Sequence, residues 1–133
     1  MFQEKEILQG DESINSLITG IDLLADMVRP TLGSEGRNVI YADMYGVPRI
    51  TNDGVTIAKQ VVSNNETEQM AIDAFKQQAI RTNMLAGDAS TTFITLTQAI
   101  IHEGLKSPNH PLDKRDEIND HCQVVLEKLK EIS

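Results

Sequence analysis

At 133 residues, with 40% apolar residues, 4% aromatics and no tryptophan, the sequence suits one domain with an aliphatic core, built of packed helices rather than a β-sandwich. A formal charge of −8 with scattered lysines and arginines argues against nucleic acid and against anionic membranes as partners. A single cysteine excludes an internal disulfide, no apolar run is long enough to cross a bilayer, and residues 1–6 carry neither a signal core nor a transit pattern, so the default compartment is the cytoplasm.

In chain order, Phe2 to Leu8 alternates loosely and reads as a short strand whose partner lies elsewhere or on another chain. Asp11 or Ser13 then caps a helix with Ile14, Leu17, Ile18, Ile21, Leu24 and Val28 on one face, at the i, i+3, i+4, i+7 spacing. Pro30 ends it by pushing Arg29 out of the α region. Thr31 to Gly36 is a loop, and Asn38–Tyr41 and Pro48–Thr51 read as two strands around a Tyr45-Gly46 turn. Asn52-Asp53-Gly54 is a turn signal, followed by a short helix from Val55 to about Val61.

Ser63 to Glu66 is loop-like, and a long helix from Thr67 carries Ile72, Phe75, Ala79 and Ala86 on one face before Gly87. The next helix groups Phe93, Leu96, Ile100 and Ile101 and stops near Gly104 and Pro108. After a connector from Asn109 to Asp113, a last helix presents Ile118, Cys122, Val125, Leu129 and Ile132 as a single apolar stripe. The expected fold class is mainly α: a bundle of four longer helices with a small β-hairpin.

The stretch with the most chemistry is Gly87-Asp88-Ala89-Ser90-Thr91-Thr92. Gly87 takes φ > 0 without a Cβ clash and suits the close of the long helix. Asp88 is a good N-cap for the next one, Ala89 is small enough for a ligand to approach the backbone, and Ser90, Thr91 and Thr92 fall in the first turn. Unpaired N–H groups and the positive end of the helix dipole make that turn a phosphate site, and a carboxylate at its edge can hold Mg²⁺. The same residues also fit an ordinary helix joint, because Ser, Thr and Asp are favoured at any helix start. Asp11, Asp53 and Asp113 likewise fit plain capping roles. His121-Cys122 is not a metal pair, since adjacent helical residues point about 100° apart.

Three ordered segments carry a resemblance. Thr31-Leu32-Gly33 with Gly36-Arg37-Asn38-Val39, then Ile50-Thr51-Asn52-Asp53-Gly54-Val55, then Gly87-Asp88-Ala89-Ser90-Thr91-Thr92 resemble the nucleotide loops of group I chaperonins. Gln98-Ala99-Ile100-Ile101, Glu103 to Lys106 and Val125 to Ser133 agree as well. The resemblance implies the N-terminal half of a chaperonin equatorial domain over 1–133, with ATP, Mg²⁺ and a monovalent cation such as K⁺ as cofactors. By the same resemblance, Thr31, Leu32, Gly33 and the adjoining Ser34 line the phosphate side, with Asn52 and Gly54 beside the nucleotide. Gly87, Asp88, Ala89, Ser90, Thr91 and Thr92 would wrap the phosphates, Asp88 would be the Mg²⁺ ligand, and Asp53 would orient the attacking water or the cation.

Three departures from the family pattern matter: Ser34 stands for Pro, Asn52 for Lys and Ala89 for Gly, whereas Ser90 for Thr keeps the hydroxyl. Met1 reads as a start and the chain stops at Ser133, so intermediate and apical domains are expected to be absent, and with them the family's second catalytic Asp and most of the adenine pocket. Expected partners are other chaperonin subunits or further copies of the chain, held by apolar stripes left uncovered, with unfolded clients engaged only in a full-length context. Two functions follow: an ATP-binding segment of a folding machine, or a non-hydrolysing assembly module. In the second, the N-terminal strand and the Tyr41–Ile50 hairpin contact neighbours.

Overall fold

The computed structural model of the chain describes residues 9–106, 108 and 111–133. The strand expected at Phe2–Leu8 and part of the 109–113 connector lie outside those residues. The elements are α1 (Gly10–Val28), a 3₁₀ turn (Arg29–Thr31), β1 (Val39–Ala42), β2 (Pro48–Thr51), α2 (Gly54–Gln60), α3 (Glu66–Ala86), α4 (Ser90–Lys106) and α5 (Pro111–Ile132). This is the mainly α architecture with four longer helices and one hairpin that the periodicity calls for. The described residues fall into two compact units, one through Ala99 and one from Ile100 to Ser133. No helix among them is long and apolar enough to cross a membrane.

In the first unit α1 packs mainly on α3. Ile21, Leu24, Ala25 and Val28 are fully buried, whereas Ile14 and Leu17, earlier on the same stripe, stay 42% and 44% exposed. Gly20 explains where the helices meet. A Cβ there would lie 2.7 Å from the Glu68 carbonyl oxygen and 2.8 Å from Ala71 Cβ, so the two backbones touch at this point. Ile57, Ala58 and Val61 from the α2 segment, Ala71, Ile72 and Ala79 from α3 and Ile94 from α4 complete the core.

Several local expectations are corrected. Gln9, not Asp11 or Ser13, is the N-cap of α1; it makes no side-chain cap, and Asp11 and Glu12 sit in the first turn, where they complement the dipole. Pro30 does not expel Arg29 from the α region: Arg29 has φ −52° and ψ −37°, and its N–H bonds the Ala25 carbonyl. Pro30 instead sits second in the 3₁₀ turn, where its missing N–H costs nothing, and the chain becomes extended only at Leu32. On α3 the buried face is Ala71, Ile72 and Ala79. Phe75 is half-buried and Ala86 exposed; Gly20 approaches α3 near its start, at Glu68 and the small Ala71.

On α4 the inward stripe is Ser90, Ile94 and Gln98 at i, i+4, i+8, not the apolar group Phe93, Leu96, Ile100 and Ile101. Leu96 is 57% exposed. Two of the three inward residues are polar, so hydropathy points to the wrong face. Gln98 is tolerated inside because both ends of its amide are bonded: Nε2 donates to Asp22 Oδ1 at 2.6 Å, and Oε1 accepts from the Arg29 guanidinium.

The hairpin pairs Val39 with Thr51, Ile40 with Ile50, Tyr41 with Arg49 and Ala42 with Pro48. Asp43 organises its turn, accepting from the amides of Val47 (3.0 Å) and Tyr45 (2.9 Å) and from Arg49 Nε (3.0 Å). The Val47 amide, then that of Tyr45 and the Arg49 guanidinium, hold the Asp43 carboxyl below the usual carboxylate range. In the second unit, the end of α4 meets α5 where Gly104 faces Ile118. The α5 residues Val125, Leu129 and Ile132 are exposed.

Candidate functional site

Three segments distant in sequence line one cleft of about 580 Å³ in the first unit. They are Thr31, Leu32 and Gly33, then Asn52, Asp53 and Gly54, then Asp88, Ala89, Thr91 and Thr92. The remaining residues singled out from the sequence sit around its edge. Ser90 lies beneath it, 2% exposed. Gly87 closes α3 in the left-handed region (φ 78°), its N–H bonded to the Asn83 carbonyl. Ser34 occupies an exposed turn closed by the Gly36 N–H on the Gly33 carbonyl at 3.0 Å.

The 3₁₀ turn delivers the first segment. Thr31 Oγ1 donates to the Val28 carbonyl at 2.8 Å, which uses its one proton. The Thr91 hydroxyl, 3.1 Å away, is therefore the donor in the Thr31–Thr91 pair, a link between the first and third segments. Gly54 supplies the close approach between the second and third. A Cβ at Gly54 would fall 2.0 Å from Thr91 Oγ1 and 3.1 Å from Ser90 Oγ.

Asp53 is the N-cap of α2. Its Oδ1 accepts from the Val55 amide (3.4 Å), and its Oδ2 accepts from the Thr56 amide (3.0 Å) and the Thr56 hydroxyl. The Thr56 hydroxyl first, then the amides of Thr56 and Val55, hold the Asp53 carboxyl below its ordinary range. A carboxylate so stabilised is a weak proton acceptor near neutrality and a good fixed charge. Thr56 was not singled out from the sequence, although it stands three residues after the Asp53 cap, in the first turn of α2. Gln98 was missed for a different reason: nothing in sequence marks a glutamine as buried.

Asp88 does not cap α4 as expected; α4 begins at Ser90, and Asp88 Oδ1 accepts the neighbouring Ala89 amide at 2.7 Å. Ala89 intervenes because its φ is +78°, and the backbone turns there before the helix starts. The first N–H groups of α4 have no intrahelical acceptor, and Ala89, Thr91 and Thr92 bring this helix start to the cleft. No lysine or arginine is among the cleft-lining residues, and Asp53 and Asp88 are its charges.

Ala89 carries real strain, since a left-handed conformation costs a residue with a Cβ about 1–2 kcal/mol. Part of the relief from glycine is offset by its larger unfolded-state entropy, about 0.4–1 kcal/mol. Ala89→Gly is therefore expected to stabilise the chain by up to about 1 kcal/mol, seen as a higher urea midpoint at unchanged slope. A lower midpoint would mean that Ala89 does not hold this conformation in solution.

Residues 24–133 match the model of the TCP-1/cpn60 chaperonin family. Two crystal structures of the chaperonin gp146 from the bacteriophage EL 2 (Pseudomonas aeruginosa), obtained in the presence of ATP-BeFx, share the fold. Crystal form II matches with a TM-score of 0.85 at 23% identity, covering 97% of this chain and 23% of that one. Crystal form I matches with a TM-score of 0.72 at 24% identity, covering 80% and 19%. At such identities the likeness is one of fold, and the chain spans less than a quarter of the length of that chaperonin.

Proposed function

Because the chain belongs to the TCP-1/cpn60 chaperonin family, we propose that its cleft forms the phosphate and metal side of an ATP site in a chaperonin that assists protein folding by ATP-driven ring cycling. The supporting observation is the convergence of the 31–33, 52–54 and 88–92 segments on the open N-terminus of α4. In this reading the first N–H groups of α4 and the hydroxyls of Thr91 and Thr92 hold phosphate oxygens, and Thr31, Leu32 and Gly33 close the opposite wall. Phosphoryl transfer needs positioning and charge neutralisation more than covalent chemistry.

Asp88 suits Mg²⁺ by the nature of its donor. It is a hard carboxylate whose Oδ1 accepts the Ala89 amide, which leaves lone pairs for a cation that would take its other oxygens from phosphate and water. When bound, Mg²⁺ would neutralise phosphate charge that no cationic lining residue offsets. Asp53 orients water or K⁺ as a fixed anion. Oδ2 already accepts two hydrogen bonds and Oδ1 one, so Oδ1 is the atom with capacity to spare. Further copies of the chain or other chaperonin subunits would complete the ring, and unfolded proteins would be its clients.

Calorimetric titration with Mg·ATP tests the reading. The chain should show saturable binding, and Asp88→Ala should weaken it at least about tenfold through loss of the metal ligand. Absence of heat at millimolar nucleotide would overturn the ATP reading. It would favour an assembly module without turnover, which the strained Ala89 and the outward Ile40–Ile50 pair of the hairpin, 69% and 67% exposed, also support.

A further inference from the structure

We propose that Gln98 is a positioning residue for the cleft, locking α4 against the 3₁₀ turn so that Thr91 faces Thr31. The proposal rests on the ATP reading of the cleft and adds a residue that does not touch it. Gln98 is 8% exposed and lies on the same face of α4 as Thr91, seven residues or about 10 Å further along. Its Oε1 accepts from Arg29, which belongs to the same 3₁₀ turn as Thr31. Turn and helix are thus tied at two points, Arg29–Gln98 and Thr31–Thr91. Added to the packing of the buried Ile94, these two ties fix how α4 is turned.

The amide orientation is forced. Asp22 Oδ1, 2.6 Å from Nε2, accepts and the Arg29 guanidinium only donates, so the amide oxygen must face Arg29 and its nitrogen Asp22. Both partners are of charged type, which makes these bonds stronger than the neutral hydroxyl pair at the cleft. Both ties are part-buried, and the weaker one lies at the cleft, where a ligand competes for it. Glutamine is suited to this position because methionine lacks both bonds and glutamate would set a carboxylate against Asp22.

The test compares the full chain with Gln98→Met, Arg29→Leu and Ile94→Val by Mg·ATP calorimetry and thermal unfolding. Ile94 is fully buried on the same helix and makes no polar contact, so Ile94→Val reports packing loss without loss of the lock. Gln98→Met and Arg29→Leu should each weaken Mg·ATP binding roughly tenfold, whereas Ile94→Val should lower the melting temperature and leave the affinity unchanged. Should Gln98→Met fail to fold, Arg29→Leu decides, since Arg29 is 51% exposed at its side chain. Wild-type affinity in the folded lock variants would overturn the proposal and leave the ATP reading intact. No binding by the unmodified chain would overturn the ATP reading and this proposal with it.

Discussion

Gly54→Ala is expected to lower the stability of the chain by about 2–3 kcal/mol, the upper part of the range for overpacking a well-filled site. The added Cβ would lie 2.0 Å from Thr91 Oγ1, 3.2 Å from Thr91 Cβ and 3.1 Å from Ser90 Oγ. Turning the Thr91 side chain does not relieve this cheaply. Thr91 is β-branched and helical, so few rotamers are open to it, and moving its hydroxyl breaks the bond to Thr31. Ser90, 2% exposed, has no room to retreat. The remaining escape is for α2 and α4 to separate at their N-termini, which widens the cleft. Urea unfolding should show a lower midpoint, and Mg·ATP binding should weaken in the same variant. A midpoint within about 0.5 kcal/mol of wild type, the range of neutral surface changes, would show that α2 and α4 do not touch here in solution.

Gly20→Val is expected to cost about 3 kcal/mol, by separating α1 from α3. Propensity points the other way, since a mid-helix glycine is itself unfavourable by about 1 kcal/mol relative to alanine. The steric effect wins because the nearest atom is the Glu68 carbonyl oxygen, at 2.7 Å from the new Cβ, and backbone cannot rotate aside. Ala71 Cβ at 2.8 Å blocks the other direction. Separation at this point unpacks Ile21, Leu24 and Ile72, each fully buried. The measurement is the denaturant midpoint, and an unchanged or raised midpoint would mean that α1 and α3 cross elsewhere.

Both glycines look alike in sequence and neither has a positive φ. What sets them apart is a backbone or side chain from a distant segment within a van der Waals radius, and local sequence carries no record of that. Gly87 is the opposite case: its role as the left-handed close of α3 follows from the helical pattern that stops there. The cleft divides in the same way. Asp88, the hydroxyls after it and the Asn52-Asp53-Gly54 turn are visible as helix-start chemistry, and their order supports a family resemblance. Gln98 stayed hidden because its hydrogen-bond partners lie sixty-nine and seventy-six residues away, whereas Thr56 bonds Asp53 only three residues back, within the reach of local sequence.

By itself the sequence determined the helices, the hairpin and its turn, the left-handed stop at Gly87 and the stretches from which a site could be built. Those features depend on periodicity, capping and φ preference, which act within a few residues. Tertiary structure alone decided which faces were buried. It turned α4 to put Ser90 and Gln98 inward, and it left Leu96 and the start of the α1 stripe at the surface. Burial follows from contact across the fold: a polar side chain goes inside when its hydrogen bonds are met there, and an apolar one stays outside when nothing packs on it.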